Sequence, residues 1–270
     1  WIEKVLSEHG VPPLPESEGG HHLLGWTDAT ARPQIDIAFQ HSPSLLVNAL
    51  GPPPADIVDA AHERGIKVAA LASSPRHAQK HVDIGVDIVV AQGTEAGGHT
   101  GEISSVVLWP QVIEEIAPVP VLAAGGIAHG SQIAAALAMG AQGVWTGSIW
   151  LTVAESDMTP LVIEKLLAAD STQTVRSRAL TGKPARQLRT AWTDAWDRPD
   201  CPGYLPMPLQ YMLVADVMAR VGRAQNRELT GMPVGQVVGM MDRVRSSRDV
   251  IVRLVEEYVE AVERLDALNA

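Results

Sequence analysis

The chain has 270 residues, 46% of them hydrophobic, and a formal net charge of -10 at pH 7. That length suffices for a large α/β core, and the acidic balance argues against nucleic acid and anionic membrane, leaving small molecules and further subunits, in a homo-oligomer, as the expected partners. A single cysteine, Cys201, excludes an intrachain disulfide and any multi-cysteine metal site, which fits a cytoplasmic location.

No apolar run reaches the roughly 18 residues that a membrane span needs, and no basic segment followed by an apolar one opens the chain. The first residues, Trp1-Ile2-Val5-Leu6, already follow a helical pattern that Gly10 stops, so further residues are expected upstream. Gly10 to Gly25, with its prolines and the paired His21 and His22, reads as a loop, and Thr27 to Gln40 as a helix packed on a sheet. A unit of apolar run, turn-marked loop, helix pattern and glycine then repeats. The runs are Ser44 to Leu50, Lys67 to Ala72, Val86 to Ala91, Val119 to Ala124 and Gly143 to Gly147. Between them lie predicted helices over Ala55 to Arg64, Arg76 to Ile84, Ser105 to Ile116 and Ser131 to Met139.

Strands apolar on both faces, each followed by a helix, specify a parallel sheet covered by helices. Five unbroken β-α steps favour an α/β, TIM-type (β/α)8 barrel over a doubly wound sheet. Because such a barrel closes with eight strands, residues 1–151 are predicted to be its C-terminal part, about the last five units. Residues 152–270 read as a helical extension that packs on the barrel or on a partner subunit. It ends in a helix over Ser247 to Leu268, with Ile251, Leu254, Val255, Tyr258, Val262 and Leu265 as one apolar stripe.

In barrels of this kind the chemistry sits where the strands end. Gly125 and Gly126 leave one strand ahead of a helix that Ser131 is placed to cap, and Gly147 and Ser148 end the next. Bare amides at a helix N-terminus make a phosphate site without a lysine; the pair Gly125-Gly126 equally suits a plain tight turn. His99 follows a strand end among Gly97, Gly98 and Gly101, which let a planar ligand approach the backbone. An imidazole there is either a satisfied structural residue or a general base. Glu95 and Glu102 flank it, with solvation the simpler reading for both. His77 and His81, four apart on a helix, supply half a metal site at most, and an exposed helix face is the simpler reading. The basic stretch with Arg176, Arg178, Lys183, Arg186 and Arg189 is either a clamp for a nucleotide or CoA phosphate or, more simply, a solvated surface.

The motifs AQGTEAGGHTGE (Ala91 to Glu102), VPVLAAGGIAHG (Val119 to Gly130) and GAQGVWTGS (Gly140 to Ser148), with TGKPAR and PMPLQ downstream, resemble the nitronate monooxygenase family, formerly the 2-nitropropane dioxygenases. The resemblance implies an FMN-dependent barrel in which Gly125, Gly126, Gly147 and Ser148 hold the FMN phosphate. Gln92, Gly93 and Gly97 would lie near the flavin, with Gly98 and Ala124 as further cofactor contacts, and His99 would be the catalytic base. The implied reaction oxidises alkyl nitronates with O2 to a carbonyl compound and nitrite, His99 being needed for a neutral nitroalkane but less so for a preformed nitronate. The chain departs from many relatives at Leu71, where a lysine stands near the flavin, and lacks the family's first strands. The motifs EAGGH and GGI are shared with NAD(P)H-dependent flavin reductases of the FabK enoyl-acyl-carrier-protein type, which is the alternative enzyme reading. A flavin-binding paralogue without turnover is the alternative from another class.

Overall fold

The computed structural model describes residues 1–14 and 28–268. The N-terminal pattern forms α1 (Ile2–Glu8), and α2 (Asp28–Gln40) occupies the predicted second helix. Most of the intervening loop, with His21 and His22, lies outside the described residues. The repeating unit then yields β1 (Leu45–Asn48), α3 (Ala55–His62), β2 (Lys67–Ala72), α4 (Pro75–Asp83) and β3 (Ile88–Gln92). A two-residue strand, β4 (Gly98–His99), precedes α5 (Ser105–Glu115), β5 (Val121–Ala124), α6 (Gly130–Ala138) and β6 (Gly143–Trp145).

β1, β2, β3, β5 and β6 form one parallel sheet in that order. Each strand is added beside its predecessor, with no reversal. A doubly wound sheet reverses at a switch point, so this order is that of consecutive staves in a (β/α) barrel. Side chains alternate along the strands. Val68, Ala70 and Ala72 of β2, Val89 and Ala91 of β3, and Val121 and Ala123 of β5 pack with Val58 and Ala61 of α3 and Leu108, Trp109 and Val112 of α5. Leu71, Gln92 and Ala124 belong to the opposite face. The Trp109 indole donates to the carbonyls of Ala91 (3.1 Å) and Ala124 (3.2 Å), which ties α5 to the ends of β3 and β5.

The cap of α6 differs from expectation. His129, not Ser131, stands at the N-cap: its Nδ1 accepts from the Ser131 amide at 3.1 Å, and Gln132 Oε1 accepts in return from the His129 amide at 2.9 Å. An imidazole acceptor completes the reciprocal box that a hydroxyl or carboxylate usually makes.

The region after Leu151 contains α7 (Pro160–Ala168), α8 (Ala191–Trp196), α9 (Leu209–Arg223) and α10 (Ser247–Ala267), but also β7 (Thr174–Ser177) and β8 (Ala185–Leu188). These two strands pair antiparallel with each other, and β8 pairs antiparallel with β4. They escape a hydropathy reading because their sequences, TVRS and ARQL, carry arginines in place of apolar runs. Contacts cross the change of architecture at Leu151: Val5 and Leu6 of α1 share a core with Trp192, Trp196, Val214 and Val217 of α8 and α9.

α10 lies where the sequence puts it, but turned. Val250, Leu254 and Ala261 are buried, while Ile251 and Val255 of the expected stripe stay 53% and 55% exposed. The orientation follows from Gly130 at the start of α6, where α10 crosses so closely that a Cβ would overlap the Tyr258 amide nitrogen and the Leu254 carbonyl oxygen. Glu257 Oε2 accepts from the Gly130 amide at 2.9 Å across the same contact. Gly130→Ala is expected to force α10 outward and to lower stability by about 1–3 kcal/mol, the usual cost of overpacking. A urea melt of mutant against parent checks this, and an unchanged midpoint would contradict the close crossing.

Candidate active site

The ends of β3, β5 and β6 stand side by side, with Gln92 opposite Ala124 and Ala124 opposite Trp145. Beyond them opens a cavity of about 300 Å³ lined by Gln92, Gly97, Gly98, Ala124, Gly125, Gly126, Gly147 and Ser148, all singled out from sequence. Gly125 and Gly126 take φ of +93° and +73°, which a side chain rarely tolerates. A Cβ on Gly98 or Gly147 would meet no atom within 4 Å, so these positions border open space. Among the described residues the amides of Gly125, Gly126 and Gly147 reach no protein acceptor. Ser148 Oγ accepts from the Gly235 amide at 2.8 Å, which leaves the hydroxyl proton available. Backbone donors with no protein partner, around a space of this size, fit an anionic, planar ligand end. Gly93 does not line the cavity: a Cβ there would run into Ser105, so it serves close packing of α5 behind the wall.

A second cavity, about 330 Å³, adjoins the first through Gln92, which lines both. His99 lines it, together with Leu71, His77, Lys80, Thr100 and Lys183. Burial holds the His99 imidazole below its ordinary pKa, and the nearby Lys183 charge lowers it further. The ring is therefore neutral near pH 7 and carries one free lone pair, the requirement for a general base. Its Nε2 lies 2.8 Å from Thr181 Oγ1. Leu71 brings no cation; its carbonyl accepts from His81 Nε2 at 3.0 Å. The cations on this cavity are Lys80 and Lys183, which come from α4 and from the turn before β8.

Comparison with known proteins decides the family. A model described as nitronate monooxygenase matches residues 18–257. The chain belongs to the nitronate monooxygenase family. It is 52% identical over 279 residues to a Mycobacterium tuberculosis protein with a provisional monooxygenase name, an alignment covering 99% of this chain and 74% of that protein. In structure it is similar to the nitroalkane oxidase of Streptomyces ansochromogenes, with a TM-score of 0.83 at 25% identity over 98% of this chain and 76% of the other. It is also similar to FabK of Thermotoga maritima, with a TM-score of 0.77 at 28% identity over 92% of this chain and 76% of the other. The family and these neighbours make the chain a flavin-dependent oxidoreductase of the α/β, barrel-type fold. Among the described residues no helix is long and apolar enough to cross a membrane, and no group of three or more His, Cys, Asp or Glu is placed to hold a metal ion.

Several features of this nitronate monooxygenase homologue were hidden in the sequence. The carboxylate of Glu95 is half-buried and turned to α5, not to His99. It accepts from the Ser105 amide (3.0 Å) and hydroxyl (2.9 Å) at the start of α5. The basic stretch is not a solvated surface throughout: Arg186 is buried and donates to the Thr94 carbonyl at 2.8 Å, and Arg176 donates to the Thr100 carbonyl at 3.2 Å. Arg189 pairs with Asp194 at 2.8 Å, and Arg178 and Glu102 are exposed as expected. The segment Pro233 to Val237, in which Pro233, Gly235 and Val237 line the first cavity, carries no motif that sequence reading would select. Its signal is the small residue: a Cβ on Gly235 would press on the Glu95 carbonyl, and one on Gly97 on the Val234 backbone.

His81 also departs from expectation, being buried rather than on an exposed helix face. Burial lowers its pKa, the Leu71 carbonyl opposes this, and neighbouring His77 adds to the lowering. With folded-state values below the ordinary one near 6.5, His81 and His99 contribute full stability above that pH. As pH falls through 6.5 the unfolded chain takes up protons that the folded chain resists, so stability drops. Urea midpoints should therefore fall between pH 7.5 and about 5.5, less steeply for His81→Gln; an equally steep fall in that variant would clear His81 of the effect.

Proposed function

We propose that the protein binds FMN in the glycine-lined cavity and oxidises alkyl nitronates, or the nitroalkanes that give rise to them, with O2 to a carbonyl compound and nitrite. Two observations support the fit to the cofactor: the bare backbone donors at Gly125, Gly126 and Gly147, and the open space that side chains would fill at Gly98 and Gly147. Gly125, Gly126, Gly147 and Ser148 would hold the phosphate end, and Gln92, Ala124, Gly97 and Gly98 the remainder. When bound, the flavin supplies the electron acceptance and oxygen chemistry that no side chain here provides.

The chain's own residues do three things. Amides around the first cavity hold an anion without a counter-lysine, using partial charges fixed by the backbone. The second cavity, walled in part by Leu71 and Pro184, would seat a small substrate beside His99. His99, neutral because it is half-buried and near Lys183, takes the proton from the carbon that bears the nitro group. A nitronate has already lost that proton and passes this step. The observation that carries the reading is the junction of the two cavities at Gln92, which puts the base-bearing pocket against the glycine-lined one.

An absorption spectrum of the purified protein, with the bound chromophore released and identified, should show FMN; a colourless protein that does not take up FMN would overturn the proposal. Anaerobic bleaching by a nitronate but not by NADH is expected, whereas bleaching by NADH favours the reductase reading suggested by the likeness to FabK. His99→Asn should lower kcat/KM for a neutral nitroalkane by at least about 100-fold, the usual range for a lost general base, and leave nitronate turnover much less affected. Gly147→Val should keep the fold, since its side chain enters open space, yet weaken FMN binding at least about tenfold, about 1.4 kcal/mol, in a fluorescence titration.

A further inference from the structure

We infer that Thr181 is a positioning residue that fixes the tautomer and plane of His99, and that the turn between β7 and β8 exists in its present form to deliver this hydroxyl. The inference rests on the reading of His99 as the base.

Thr181 Oγ1 stands among one group that can only accept, one that can only donate, and the His99 ring. Its hydroxyl donates to the Lys183 carbonyl at 3.2 Å and accepts from the Lys183 amide at 3.3 Å. In the proposed arrangement the hydroxyl's one proton goes to that carbonyl, so the oxygen accepts from His99 Nε2 at 2.8 Å and Nε2 carries the hydrogen. The lone pair is then on Nδ1. A neutral imidazole free to exchange tautomers would present the wrong nitrogen part of the time, and a ring free to turn about its χ angles would present neither.

The turn is held from outside itself. Gly182 has a φ of +81°, and a Cβ on it would overlap the Leu205 carbonyl oxygen and crowd the Met207 amide nitrogen. The Gly182 amide donates to the Arg178 carbonyl at 2.9 Å. On the other side, β8 pairs with β4 through Gly98 opposite Arg186 and His99 opposite Ala185. Arg186 and Arg176 hold the carbonyls of Thr94 and Thr100, which bracket His99 in the chain. The backbone of His99 and the backbone of Thr181 are thereby fixed relative to each other, and the hydroxyl completes the alignment of the side chain. A hydrogen bond to one ring nitrogen commonly decides which nitrogen of a histidine is free.

The test is nitrogen-15 NMR of histidine-labelled protein at pH 8, with the His99 signals assigned by their loss in His99→Asn. The parent should show Nε2 as the protonated nitrogen, Nδ1 as the bare one, and a slowly exchanging Nε2 proton. Thr181→Val should lose that slow exchange and average the two nitrogen shifts, while Thr181→Ser should restore the parent spectrum. In the same variants the ratio of kcat/KM for neutral nitroalkane to that for nitronate should fall about tenfold or more in Thr181→Val, about 1.4 kcal/mol, and recover in Thr181→Ser. A parent spectrum with the proton on Nδ1 overturns the proposal even if Thr181→Val does not fold, and so does an unchanged His99 spectrum in Thr181→Val. If the spectra behave as expected but His99→Asn retains nitroalkane turnover, the assignment of His99 as base fails, and the positioning role falls with it for that separate reason.

Discussion

The pairing of β8 with β4 is the contact on which the site depends. It is only two residues long on the β4 side, yet it ties the loop that follows β3 to the hairpin of β7 and β8. Without it the loop from Gly93 to Glu102 would be a glycine-rich connection with little to oppose its conformational entropy. With it, the loop gains a ladder, and the two arginines of the hairpin satisfy carbonyls on either side of His99. Arg176 and Arg186 stand directly opposite each other in the hairpin, an arrangement that like charges normally disfavour. Their use as donors to loop carbonyls offsets that cost, while burial, and then the facing Arg176 charge, lowers the pKa of Arg186.

Most of the sheet was legible from the sequence because its strands are largely apolar on both faces and most of the helices between them are followed by glycine. The run Lys67 to Ala72 is β2 to the residue, and α5 and α10 start at Ser105 and Ser247, where the helix patterns put them. The glycines of the first cavity were legible too, since a positive φ or a bare amide leaves a glycine in the sequence as its trace. The hairpin was not. Its strands encode donors for carbonyls elsewhere in the chain, and a pattern that reports only which side chains seek the interior has no term for that. The same blindness explains Glu95, whose partner is an amide ten residues away, and Thr181, whose partner is 82 residues away.

The turn of α10 shows a different limit. Ile251, Leu254, Val255, Tyr258, Val262 and Leu265 do share a face, and nothing in the helix itself argues against burying all of them. What decides the orientation is on the other helix: Gly130 permits backbone to approach backbone, and the helix rolls until its own main chain lies on that spot. Hydropathy ranks side chains, whereas the tightest contact of this pair is made where a side chain is missing.

The two cavities differ in what their walls are made of. The first is shaped chiefly by main chain that the sheet holds in register; the second is shaped by the side chains of Leu50, Leu71, His77, Lys80, His99 and Lys183. A single base change in a gene can rewrite a side chain but cannot move a strand. Drift and selection therefore have easy access to one half of this site and very little to the other. A family built this way would keep its redox partner while exchanging one small molecule for another, which is a physical route to relatives that share a scaffold and carry names as unlike as nitroalkane oxidase and FabK.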